Sequence, residues 1–260
     1  MALVEITRLD GVIRFELSDP PANAYSYEMM QELDRAILDA RLDAAAHVIV
    51  ITGKGDKFFC AGANIEMLKK ADPSFKYNFC LHANETLSRL EHTPKLTIAA
   101  LNGHTVGGGL EIALACDLRV ARRDGGKTGL PEVTLGVLPG TGGTQRLARL
   151  VGKSRAIELM ATGRLMGFDE AAQMGIVNAV FESQGFGEKV VEYARQFCPP
   201  NKAAKAVGMI KRAVQSGAES GFAEGLALER ELQQQLFQSE DAREGMAAFV
   251  DKRPAKFKGR

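Results

Sequence analysis

Short apolar runs that end in small-residue turns, each followed by a helical pattern, constrain this chain more than any other feature. Val48 to Thr52 runs into the loop Gly53 to Gly62, and a helix starts near Ala63. Leu96 to Leu101 runs into Asn102-Gly103-His104-Thr105-Val106-Gly107-Gly108-Gly109, with a helix expected from about Gly109 to Cys116. Leu118 to Ala121 and Ile176 to Val180 read as two further strands. Runs this short and this apolar suit strands buried on both faces. Their alternation with helices argues an α/β architecture.

The flanks are equally patterned. Leu3 to Leu9 and Val12 to Leu17 alternate on either side of Asp10-Gly11, which reads as a hairpin. Met29, Met30, Leu33, Ile37, Leu38 and Leu42 fall at helical spacing within Ser26 to Ala44. A longer helix is expected to run through Leu90 and to stop at Pro94. After Cys198-Pro199-Pro200 only helices are expected, over Ala203 to Val214, Gly221 to Gln238 and Asp241 to Val250. This divides the chain into a mixed core, 1–198, and a helical region, 199–260.

Charge excludes several classes of function. The 260 residues carry 33 basic and 32 acidic side chains, a formal net charge of +1. Such a balance offers no general attraction to nucleic acid or to acidic membranes. No apolar stretch approaches a membrane span, and Met1-Ala2-Leu3-Val4-Glu5 lacks the pattern of a signal peptide. The four cysteines, Cys60, Cys80, Cys116 and Cys198, form no CxxC pair and read as buried reduced thiols. The four histidines show no metal-ligand spacing. The expectation is a cytoplasmic protein without a metal ion.

Four segments carry chemistry. Phe58-Phe59-Cys60-Ala61-Gly62-Ala63-Asn64-Ile65 is a strand-to-helix turn, where backbone N–H groups are left without partners. Gly107-Gly108-Gly109-Leu110-Glu111 lets a ligand lie against bare backbone. It has neither the GxGxxG spacing of a dinucleotide site nor the Lys-Ser/Thr of a P-loop, and Glu111 would repel a phosphate. A neutral carbonyl that becomes an oxyanion fits better. Gly129-Leu130-Pro131-Glu132 offers a second carboxylate, which alone reads as a surface glutamate. Pro139-Gly140-Thr141-Gly142-Gly143-Thr144-Gln145-Arg146-Leu147 is a helix start with Thr141 or Thr144 available as its cap. Each has an ordinary structural explanation when taken alone.

In order, type and spacing these segments resemble the enoyl-CoA hydratase/isomerase (crotonase) superfamily. The resemblance runs from Asp10-Gly11 to Glu244-Gly245-Met246-Ala247-Ala248-Phe249 and Lys256-Phe257-Lys258. It implies a crotonase-like spiral of repeated ββα units, with a C-terminal helical trimerisation region and assembly as a homo-trimer or hexamer. It implies an acyl-CoA thioester as substrate and no cofactor beyond the coenzyme A of the substrate. The N–H groups of Ala63 and Gly108 would clasp the thioester oxygen. Glu111 would manage the attacking water, Glu132 the proton at C2, and the Gly140 N–H would help hold the water. Gly62, Asn64, Ile65 and Gly107 would line the substrate. Lys256 and Phe257 would meet the CoA of a neighbouring subunit, although Lys252 to Arg260 reads equally well as a frayed basic tail.

Both glutamates are kept, so hydration of a trans-2-enoyl-CoA leads. The alternatives are an isomerase that uses Glu132 alone and a non-catalytic RNA-binding or scaffold protein. Three departures from the family pattern are expected near the acyl pocket. These are Asn64 where relatives carry Asp, Thr128 at a usually apolar place, and a slightly long Ala121–Gly129 segment.

Overall fold

The structure, a computed structural model, describes residues 2–260. Strand β1 (Val4–Leu9) pairs antiparallel with β2 (Val12–Leu17). Asp10 and Gly11 both take positive φ, 49° and 79°, as a two-residue turn with the strands' own twist demands. Helix α1 (Tyr27–Leu42) follows, capped by the Ser26 hydroxyl, which accepts from the Met29 N–H. Its buried stripe includes Met29, Met30, Leu33 and Ile37.

Three times a long strand is followed by a short strand and a helix. The first unit is β3 (Val48–Gly53), β4 (Phe58–Cys60), α2 (Ile65–Lys70) and α3 (Pro73–Glu91). The second is β5 (Leu96–Leu101), β6 (His104–Val106) and α4 (Gly108–Leu114). The third is β7 (Leu118–Arg122), β8 (Lys127–Gly129), a 3-10 turn at Glu132–Leu135 and α5 (Gly143–Val151). Then come α6 (Lys153–Thr162), β9 (Met166–Gly167), α7 (Phe168–Gln173), β10 (Ala179–Phe181) and α8 (Phe186–Arg195).

The long strands form one six-stranded sheet, ordered β1-β2-β3-β5-β7-β10 and parallel from β2 onward. The short strands stack as a second sheet, β4-β6-β8-β9. The chain therefore spirals, each turn adding one strand to each sheet. This is the repeated ββα architecture that the resemblance implied.

The short strands correct the expected loops. β4 lies inside Gly53 to Gly62, and β6 lies inside the glycine-rich turn. Strands of three residues are too brief to show alternation, and their partners are distant in sequence, as with Phe58 opposite His104 and Thr105 opposite Thr128. The expected strand at Ile176 begins only at Ala179. Ile176 and Val177 instead close the end of α7, both N–H groups donating to the Ala171 carbonyl. α2 starts at Ile65 because Asn64 caps it, and α4 starts at Gly108.

Helices α9 (Ala204–Ala218), α10 (Phe222–Phe237) and α11 (Glu240–Val250) complete the chain. Buried Lys211 ties α9 to the core through Asp117 at 2.9 Å and through the carbonyls of Lys95 and Leu90. Residues 251–260 are not frayed. The carboxylate of Asp241, 3% exposed, accepts from the N–H groups of Lys258 and Gly259 at 2.7 and 2.8 Å. Among the described residues no helix is long and apolar enough to cross a membrane.

Candidate active site

The second sheet builds the site, because three loops leave its parallel strands side by side. β4 leads to Gly62, β6 to Gly107, and β8 to Pro131. The Gly107 N–H donates to the Gly129 carbonyl at 2.9 Å, which fixes the last two together. Gly62 and Gly107 take φ of +93° and +56°, which turns the chain sharply at each strand end. The first two loops nearly touch: a Cβ on Gly62 would lie 3.1 Å from the Gly108 nitrogen. Gly108 opens α4, so its N–H has no partner within the helix. The N–H groups of Ala63 and Gly108 thus belong to two adjoining loops at the wall of one cavity.

That cavity encloses about 190 Å³. Ala63, Gly108, Glu111, Glu132, Gly62, Ile65, Gly107 and Gly140 all line it. Eight residues singled out from four distant segments therefore converge. Asn64 does not line the cavity. Its side-chain oxygen accepts from the Met67 N–H at 3.0 Å, capping α2. Thr128 is buried within β8, and Ala121–Gly129 runs from the end of β7 through β8, none of it in the cavity lining. Lys256 and Phe257 also lie outside it. Phe257 packs on Gly245 of α11, and its N–H donates to the Pro200 carbonyl.

The two carboxylates sit in opposite surroundings. Glu111, one turn into α4 and 1% exposed, accepts from the N–H groups of Thr141 and Gly143, both at 2.7 Å, through Oε1. The Thr141 hydroxyl donates to its Oε2. Every partner donates, so the group is built in as a carboxylate. Glu132 begins the 3-10 turn beyond Pro131. It faces Gly107, where an added Cβ would lie 3.0 Å from its Oε1. Its Oε2 is buried without a hydrogen-bond partner among the described residues. Burial first, and the Glu111 charge second among the raising influences, push its carboxyl up to about 7. Glu132 is thus a half-buried carboxyl of the cavity wall rather than the surface glutamate that its segment alone indicated.

Two site residues went unread in the sequence. Thr141 does not cap α5, whose start at Gly142 has no side-chain cap. Its hydroxyl turns to Glu111 instead. The Tyr25 hydroxyl lies 3.1 Å from Thr141 Oγ1. Since Thr141 donates to Glu111, Tyr25 donates to Thr141, giving a directed chain from phenol to hydroxyl to carboxylate. Burial, with the Glu111 charge behind it, raises the Tyr25 phenol well above its usual value, so it stays a donor. Nothing in the sequence links positions 25 and 141. Thr141→Val is expected to slow turnover about 10- to 100-fold, the usual worth of a hydrogen bond to a charged group, while Thr141→Ser keeps most of the rate. Steady-state kinetics on both variants checks this; equal losses would remove the hydroxyl from the mechanism.

Comparison with known proteins agrees with this geometry. The enoyl-CoA hydratase/isomerase family profile matches residues 7–260. A solved structure of an enoyl-CoA hydratase from Geobacillus kaustophilus HTA426 superposes with a TM-score of 0.97 at 46% identity, covering 100% of this chain and 98% of that one. The short-chain-enoyl-CoA hydratase of Clostridium acetobutylicum is 37% identical over 89% of this chain and 87% of its own length. The mitochondrial methylglutaconyl-CoA hydratase of Mus musculus is 36% identical over 91% of this chain and 76% of its own. Identities this close leave the acyl group open.

Proposed function

Because the chain belongs to the enoyl-CoA hydratase/isomerase family, we propose that it adds water across the C2=C3 bond of a trans-2-enoyl-CoA to give a 3-hydroxyacyl-CoA. One observation carries the reading: two glutamates in one cavity, one fitted as a carboxylate and the other held near neutrality. A carboxyl raised toward neutrality beside a second that is offered only hydrogen-bond donors suits a division of acid and base roles.

The thioester oxygen accepts from the Ala63 and Gly108 N–H groups, which gain strength as it becomes an enolate oxygen. Glu111 keeps acceptor capacity on Oε2 beyond the Thr141 hydroxyl and takes a proton from the water that attacks C3. The Gly140 amide helps to hold that water. Glu132 delivers its proton to C2 as the enolate collapses. The thioester makes C3 electrophilic, so the proposed chemistry calls on no metal ion or redox cofactor.

The decisive experiment is reaction in H₂¹⁸O with a trans-2-enoyl-CoA. Label at C3 of a 3-hydroxyacyl product supports hydration. Double-bond migration from a 3-enoyl-CoA without label would support an isomerase that uses Glu132 alone.

Assembly belongs to the same proposal. Val214, Phe222, Phe237, Phe249 and Val250 of α9 to α11 are exposed, Phe249 at 86%. Apolar surface of that extent on three adjoining helices fits burial against further copies of the chain. The protein is expected to sediment as a trimer or hexamer, with Lys256 and Phe257 placed to meet a neighbour's CoA. A monomer in analytical ultracentrifugation refutes this.

A further inference from the structure

Three charged side chains line the cavity, Glu111, Glu132 and Lys76, and the hydration chemistry leaves only Lys76 without a task. Lys76 lies on α3, one turn before Cys80. Its Nζ is 3.2 Å from the Cys80 thiol and 5.6 Å from the centre of the buried Phe79 ring. Among the described residues no carboxylate pairs with it. The cavity lining also includes apolar Ile65, Leu68, Leu135 and Val137, of which Ile65, Leu135 and Val137 stay exposed. Lys76 is half-buried, so its ammonium stays partly in water and is free to pair with an anion that a ligand brings.

Its place along the cavity fixes which part of a ligand it meets. The oxyanion amides lie where the Gly62 and Gly107 loops adjoin. Cys80 lies against the Gly140 loop, where an added Cβ would be 3.2 Å from its sulfur. Gly140 precedes Thr141, which holds Glu111. An acyl group with its thioester oxygen on Ala63 and Gly108, and C3 beside Glu111, runs on past Gly140 toward Cys80 and Lys76. Lys76 and Glu132 line the same cavity.

We propose that the preferred substrate is a CoA thioester whose 2-enoyl chain ends in a carboxylate, and that Lys76 holds that carboxylate. The proposal rests on the hydratase reading for its chemistry, but not for the anion site. Phe79 supports the lysine from one side by cation–π attraction, and the Cys80 sulfur gives it a weak partner that a carboxylate easily outcompetes.

The test compares trans-2-hexenedioyl-CoA with trans-2-hexenoyl-CoA, and the five-carbon pair likewise, on wild type, Lys76→Met and Lys76→Arg. Wild type is expected to favour the carboxylated substrate in kcat/KM by about 10-fold or more, the usual return on a charge-assisted hydrogen bond. Lys76→Met should lower that ratio about 10- to 100-fold, and Lys76→Arg should keep most of it. Equal wild-type rates would overturn the proposal. So would a Lys76→Met loss shared by both substrates, which marks a contact with CoA. Calorimetry with adipoyl-CoA and hexanoyl-CoA, which cannot be hydrated, reads the same ratio without turnover. Lys76-dependent preference for adipoyl-CoA in an enzyme that adds no water would sink the hydratase reading and leave the anion site standing. Hydration without any such preference would do the reverse.

Discussion

Glu111→Gln and Glu132→Gln are each expected to lower hydration by at least about 100-fold, the scale on which positioned acid and base groups contribute. The glutamine keeps the shape but loses the function differently at each site. At Glu111 the amide can still accept from the Thr141 and Gly143 N–H groups, yet it cannot take a proton from water. At Glu132 it cannot deliver one. The two variants separate in their pH dependence. The Glu132 carboxyl, raised to about 7 by burial, must carry its proton when the enolate forms. Wild-type kcat/KM should therefore hold below that pH and fall as pH rises through it. In Glu132→Gln the residual rate should lose that alkaline fall, and in Glu111→Gln it should keep it. A Glu132→Gln variant with an unchanged alkaline limb would assign the acid to another group.

Gly108→Ala is expected to cost about 100- to 1,000-fold in turnover, the range seen when one oxyanion donor is lost. The cause is specific to this chain. A Cβ at Gly108 would stand 2.4 Å from both the phenol oxygen and a ring carbon of Tyr25. The Tyr25 ring is 2% exposed and stacked on Phe79 at 5.7 Å, so it has little room to retreat. The helix start must move instead, taking the Gly108 N–H from the thioester oxygen and disturbing the Tyr25–Thr141–Glu111 chain. Gly108→Ala combined with Tyr25→Leu should recover the part of the loss due to the displaced amide, because the second change makes space, but not the part due to the broken Tyr25–Thr141–Glu111 chain. Circular dichroism verifies the fold of each variant. A folded Gly108→Ala enzyme with normal kcat would show that the Gly108 amide is not a required donor.

Much of this site was legible in the sequence, for a physical reason. Strand-to-helix turns leave free N–H groups, and glycines let a ligand approach them, so the turns at Gly62 and Gly107 could be marked locally, while the roles of Ala63, Gly108 and Glu111 came only with the resemblance. What the sequence hid was relational. The strands β4, β6 and β8 exist because they pair with one another, and their few residues carry no periodicity. Glu132 looked like a surface residue because its burial comes from loops distant in sequence. Thr141 was read as a helix cap because its neighbours permit one, and only the fold shows Glu111 within reach. Tyr25 and Thr141 meet across 116 positions. Asn64 erred the other way: its place beside the oxyanion turn marked it as a ligand contact, but capping α2 occupies its side chain.

The cavity is made of two kinds of chain. Its floor, from Gly62 through Glu111 to Thr141, is tied together by buried hydrogen bonds. Its rim is not: Leu135, Val137 and Leu138 line the cavity yet stay exposed, Leu138 at 67%. On the proposed chemistry, reaction and acyl selection fall on separate pieces of polypeptide. Substitutions on the rim and on the Lys76 side of α3 are then expected to exchange one acyl group for another while the hydrogen-bonded floor stays as it is. Such a division gives descendants of this chain room to change diet without relearning the chemistry.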